Sequence, residues 1–514
     1  MLRKIFLVLF SIFVLNSQAL TPKDTIVVAV ENEPKRINPI FSEDHDAAIA
    51  LIFSGLTRFD EKMNIKPDLA KSWKISKDGL VYEFDLREDV LWHDGEKFSA
   101  KDVKFSLEAF KNKKLNTPVW VNFEMIEDIK IINDYKIKIT LKEPFPAFLD
   151  VLSLGVLPKH LLENKDLNKD IFNQKPIGTG PFKFKEWKKG QYLSLEANEN
   201  YHLGKVGSKK LILKFISDPS IAALELKNSS VDVAVVDATL AKNFENDANF
   251  NVLKMKGADY RALMFNFENE LFKDKKVRLA LNYAVNKAVL IDSLLHGYGF
   301  VANQPLQLSW ASPKENFGYA YDMKKAQSLL EEAGWAKNQK GILEKDGKEF
   351  EFEMYAMSDD PLRVALVNFL QSELRKIGIK ARAMAKPRGS FDYSKVDSFL
   401  VGWGSPYDPD LHTFRVFSSI GDTKNNAGGW NYGHYENAKV DKTLLNARSV
   451  LDIDKRKKHY EEFIKALNED PAYIFLVYLE FPVVAAKNIQ GLKATTLGHH
   501  GVGFTFNAYE WSKN

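Results

Sequence analysis

The chain has 514 residues, sets 72 Lys and Arg against 68 Asp and Glu for a formal net charge of +4, and contains no cysteine. That near balance argues against nucleic acid as a partner, and the lack of cysteine excludes disulfides and thiolate metal sites. One hydrophobic core does not usually support a chain this long, so two or more lobes are expected.

The N-terminus has the pattern of a secretory signal peptide: Arg3 and Lys4, an apolar run over 5–15, then Ser17-Gln18-Ala19 with small residues where a signal peptidase needs them. The apolar run is too short to span a bilayer. Residues 1–19 are therefore expected to be removed, and no cysteine follows the run to carry a lipid anchor. The expectation is a soluble, exported protein of the periplasm.

A buried strand is expected over 25–30 (TIVVAV), followed by a polar turn that carries Pro34. The acidic cluster around His45 then opens an apolar helix over 47–56, where Asp44 and Asp46 would offset unpaired amides and the helix dipole. Strands over 82–86 and 129–141 flank a helix over 101–110, which together suggest a small α+β insert. Beyond the turn-rich PIGTGP at 176–181 come a strand over 211–216, a helix over 221–227 and a strand over 231–236.

A second series begins with a strand over 263–267 and helices over 276–286 and 323–333. It continues with a strand over 349–355, a helix over 361–376, a strand over 379–384, a helix over 453–468 and a strand over 473–479. This alternation predicts a separate α/β lobe, and the short remainder cannot form a domain alone and must return to the first. The expected division is lobe I at 20–255 and 486–514, with an insert over about 57–180, and lobe II at 256–485. No low-complexity linker separates them, so strands should join the lobes.

The segment WGSPYDPD at 403–410 is the most distinctive in the chain. Each proline fixes its own φ and pushes the residue before it towards extended geometry, so Trp403, Tyr407 and Asp408 should be held in place as a wall. Asp408 could accept a bond from a ligand amine or serve the turn itself. No Gly-rich phosphate loop, GxSxG elbow or HExxH motif is present, so binding without catalysis and without a cofactor is expected.

Five segments then carry a resemblance: LAKSW at 69–73, WHDGEKFSAKDV at 92–103, PIGTGPF at 176–182, VRLALNYAVNK at 277–287 and AQSLLEEAGW at 326–335. In this order they resemble the family 5 extracytoplasmic solute-binding proteins of peptide and nickel ABC importers. The resemblance implies a two-lobed α/β periplasmic binding protein of the class II type, with an extra α+β subdomain in the first lobe. It further implies a monomer that closes on a small-molecule or metal-chelate ligand and delivers it to an inner-membrane permease with its ATPase. WGSPYDPD is similar to the aromatic loop of the nickel branch, so Trp403 and Tyr407 would wall a cavity for nickel carried by a chelator such as histidine. The alternative is a dipeptide or oligopeptide ligand, whose amino group Asp408 would take. The arginine that the nickel branch presents near the end of the insert has no clear match around 154–157.

Nickel is a borderline ion, and without cysteine its natural protein ligand is histidine. The resemblance places the loop carrying His45 and the C-terminal return carrying His499 and His500 beside the cleft, with His499 the better aligned of the pair. His412, close to the aromatic loop, is a further candidate. His93, His160, His202, His296, His434 and His459 read as structural or surface residues, and Tyr260, Arg261 and Arg388 as surface residues in preference to cleft residues.

Overall fold

The structure is a computed structural model that describes residues 22–41, 47–115, 117–498 and 503–514. The first strand, Thr25–Val30, is buried at every position and pairs in parallel with Lys210–Phe215 on one side and Val233–Val235 on the other. A strand covered on both faces needs no polar alternation, which is why TIVVAV is continuous. Tyr192–Ala197 and Phe182–Lys188 extend this sheet antiparallel to its edge.

In lobe II, Glu351–Met357 lies between Lys380–Lys386 and Ser398–Trp403, parallel to both. The strand expected over 263–267 is far longer: Phe250–Phe265 runs for 16 residues and pairs with Tyr473–Ala486 and with Ser398–Trp403. Tyr473–Ala486 in turn pairs with Val233–Val235 of lobe I, so a single eleven-stranded sheet passes through both lobes. The two parts of the chain are thus joined by a pair of strands.

The ladder of that pair shifts register between Lys256 and Tyr260. The gap is filled from the C-terminal return: Leu497 N–H donates to the Lys256 carbonyl, and Ala258 N–H donates to the Leu497 carbonyl, each at 2.8 Å. An interruption of this kind bends and twists a strand, and it falls where the two lobes meet.

The insert is a four-stranded antiparallel sheet of Ala70–Ile75, Val81–Leu86, Lys136–Leu141 and Ile126–Asn133. The single strand expected over 129–141 is a hairpin, because Asn133 Oδ1 accepts from Tyr135 N–H at 2.9 Å and turns the chain there. Helix Ala100–Phe110 packs on this sheet behind a Ser99–Asp102 capping box. Among the described residues, the insert and lobe I share one apolar core, a second around Val27, Ala29, Leu226 and Phe244 lies on the other face of the first strand, and lobe II packs two more.

The helix expected over 47–56 is only Ile49–Ile52, because Phe53 returns to extended backbone. There the PIGTGP segment meets it: Gly180 N–H donates to the Ile52 carbonyl at 2.8 Å, and a Cβ on Gly178 would lie 1.9 Å from the same oxygen. His93 locks the arrangement by accepting from Gly178 N–H at 3.1 Å on Nδ1. Helices Lys287–Leu295, Asp410–Phe417 and Ala438–Arg448 were not expected from the sequence. No helix among the described residues is long and apolar enough to cross a membrane.

Candidate functional site

WGSPYDPD is less a single loop than a junction. Trp403 is the last residue of its strand and sits opposite Tyr260, while Asp410 begins the next helix. Between them Gly404 takes φ +140°, and a Cβ there would lie 1.8 Å from the Ala258 carbonyl oxygen. Gly404→Ala is therefore expected to cost roughly 2 kcal/mol or more, read as a lower urea midpoint at unchanged slope.

Asp408 is held by its own protein partners. Its two carboxylate oxygens accept from Arg456 Nη1 and Nη2, each at 2.6 Å, and Oδ1 also accepts from Asp410 N–H at 3.0 Å. Asp410 is engaged in the same way by Arg448 Nε and Nη2, the latter at 2.9 Å. Both acids of the segment are neutralised by arginines from the two following helices, and of the roles read for Asp408 from sequence the bond to Asp410 N–H is the turn-serving one.

Trp403 lies in a stack of parallel rings, 5.4 Å from Trp430 and 6.2 Å from Tyr432 between centroids. His412 is buried beside this stack, 5.9 Å from Trp403 and edge-on to Tyr260. Tyr407 remains 37% exposed and packs on Phe59 of lobe I at 4.8 Å between ring centroids. The junction thus spans both lobes, and Leu411 packs into the lobe I core.

Beside the stack is a cavity of about 460 Å³ between the lobes, where Arg36, Phe41 and Trp120 of lobe I face Arg415 and Gly428 of lobe II. The two arginines are held alike. The Arg36 guanidinium lies 3.7 Å over the Phe41 ring, and that of Arg415 lies 3.8 Å over Trp430 while its Nε donates to the Gly428 carbonyl at 2.8 Å. Two cations on aromatic platforms suit a carboxylate-bearing small molecule, and the volume is that of a small-molecule pocket. Sequence reasoning missed both; the Arg36 signal was its place between Pro34 and the His45 cluster.

His45, His499 and His500 lie outside the described residues. What the structure gives are their neighbours in the chain. Phe41, the last residue described before His45, lines the cavity, and Leu497, just ahead of His499, bonds to Ala258 beneath Gly404. Among the described residues, no group of three or more His, Cys, Asp and Glu is placed to hold a metal. His160, His202 and His434 pair with Asp94, Asp68 and Asp422 at 2.8, 2.6 and 2.8 Å. Burial pushes His93 down to about 4, so it serves neutral.

Two further readings are corrected. Tyr260 and Arg261 are buried, not superficial, and Arg261 pairs with Asp259 inside lobe II. Arg388 is exposed, as expected, and bonds Asp359 at 3.1 Å.

The description of the bacterial extracellular solute-binding proteins, family 5, matches residues 64–425. The oligopeptide-binding protein AppA of Bacillus subtilis is 34% identical over 95% of this chain and 91% of its own length. The nickel-binding periplasmic protein of Escherichia coli is 28% identical over 87% of this chain and 88% of its own. Among solved structures, NikZ from Campylobacter jejuni in complex with Ni(L-His) superposes with a TM-score of 0.88 at 61% identity, covering 96% of this chain and all of that one. B. subtilis AppA bound to a nonapeptide superposes at 0.80 with 33% identity, covering 95% and 99%.

Proposed function

Because the chain belongs to family 5 of the bacterial extracellular solute-binding proteins, which bind ligands for ABC importers and are not enzymes, we propose that its ligand is nickel chelated by a small carboxylate-bearing molecule such as histidine. The observation that carries this reading is the 61% identity, across essentially both chains, to a protein solved with Ni(L-His). The cavity supports it. Arg36 and Arg415 are the residues we assign to the chelator's carboxylate, Trp403 and Tyr407 to the wall, with Trp430 beneath Arg415, and His45 with His499 or His500 to the metal.

In this reading the chain is exported through a cleavable signal peptide at 1–19, works in the periplasm as a monomer, and closes lobe II (256–485) on lobe I (20–255 and 486–514). The closed form then docks on the permease. Ligand bridging both lobes stabilises the closed form by its differential affinity, which makes closure the signal of occupancy.

The peptide alternative has its own support in the 34% identity to an oligopeptide-binding protein. Against it stands Asp408, whose carboxylate is already matched by Arg456 and has no charge to spare for a peptide amine. Titration calorimetry tests the choice directly. Nickel with L-histidine is expected to give saturable one-site heat and mixed dipeptides and oligopeptides none; heat with peptides alone would sink the nickel reading.

A further inference from the structure

Lobe I reaches the aromatic junction of lobe II through Asp150. This residue sits in the short turn Phe148–Val151 of the insert, and its Oδ1 accepts the backbone N–H of Asp408 at 2.8 Å. The amide it takes belongs to the residue whose own carboxylate is clamped by Arg456, so that N–H cannot shift unless the whole junction does. The bond is flanked by apolar contacts of the same two lobes: Tyr407 on Phe59, and Leu451 close against Gly79 of the insert hairpin.

We propose that Asp150 is a positioning residue for ligand capture: its carboxylate latches lobe I to the Asp408 amide as the lobes close, fixing the Trp403–Asp410 junction beside the cavity. The latch concerns closure and so holds whether the ligand is a chelate or a peptide.

The latch is proton-linked. Asp150 is faced from lobe II by Asp408 and by Arg456, while Tyr82 of the insert, whose ring packs edge-on against Phe148, is acted on by the same Arg456. Arg58, on the neighbouring strand Thr57–Phe59, acts on Asp68 instead, and the adjacent turn Trp120–Phe123 carries no charged side chain. Burial first, and then the Asp408 charge, raise the Asp150 carboxyl from its ordinary 3.8 to about 7, against the lowering pull of the Asp408 amide and Arg456.

A group whose acidity is weakened on closing favours the closed state when protonated. Its contribution is complete below the open-form value and is lost as pH rises through about 7. Protonation on Oδ2 leaves the Oδ1 bond to the amide in place while removing a charge that faces Asp408. Closure should therefore weaken by up to about tenfold per pH unit between roughly pH 5 and 7, and level off above.

Hydrogen exchange on the full, ligand-free chain tests this, reading the protection of the Asp408 amide after correction for intrinsic exchange from pH 5.5 to 8. In the wild type, protection is expected to fall as pH rises towards 7. Asp150→Ala should lose about tenfold or more of that protection at every pH. Asp150→Asn keeps an acceptor but does not titrate, so it should retain protection with a flattened slope. Equal protection in wild type and Asp150→Ala, or an unchanged slope in Asp150→Asn, would overturn the proposal. Calorimetry with nickel and L-histidine adds a second readout: the ratio of wild-type to Asp150→Asn affinity should change with pH, since the chelate's own pH dependence cancels in it. If neither protein binds nickel–histidine at any pH, the nickel reading falls while the exchange result still decides the latch.

Discussion

Arg456→Ala is expected to lower the free energy of unfolding by about 3–5 kcal/mol, because it leaves the Asp408 carboxylate buried without its partner. The pair is nearly inaccessible, with side-chain exposures of 3% for Arg456 and 6% for Asp408. Asp410 and Asp150 both lie close enough to raise the cost of an uncompensated charge. Asp408→Asn combined with Arg456→Met should recover most of the loss, since neither charge then remains unmatched. Urea unfolding of the two single variants and the double variant measures the coupling. The same experiment separates two roles for Asp408. As a structural partner, Asp408→Ala should lose stability and weaken every ligand alike through the loosened junction; as the anchor of a ligand amine it would lose peptide affinity selectively at nearly full stability.

Asp408 also marks how far the residues alone could be read. The prolines pointed to a constrained segment, yet which group Asp408 serves depended on Arg456, 48 positions away on the helix Ile453–Glu469. Local pattern has no access to such a pairing. The strand at 25–30 was legible because burial on both faces leaves an unbroken apolar run, whereas Phe250–Phe265 was not, since its first half is partly exposed and reads as polar. Motifs told the family but not their own purpose: WHDG and PIGTGP turn out to be halves of one contact, closed by His93, Gly178 and Gly180 around Ile52. The cavity was least legible. Arg36 and Arg415 stand far apart in the chain, and each becomes informative only once its guanidinium is seen lying on an aromatic ring.

Nickel affinity is expected to split cleanly between histidines and arginines. His45→Ala together with His499→Ala should abolish saturable binding of nickel with L-histidine, because the proposed site then offers only His500 as an imidazole to an ion that favours nitrogen. Arg36→Ala and Arg415→Ala should instead weaken it by about tenfold or more each, the size of one charge-assisted bond. Histamine carries the imidazole and amine of histidine without its carboxylate, so it distinguishes the two contributions. If the arginines hold the carboxylate, their loss should leave the much weaker nickel–histamine binding unchanged, and the two chelates should converge in affinity in Arg415→Ala. Were the arginines needed only to shape the cavity, both chelates would weaken together. Circular dichroism of each variant should stay at the wild-type spectrum, as Arg36 and Arg415 lie at the cavity and outside the buried ion pairs that hold the junction.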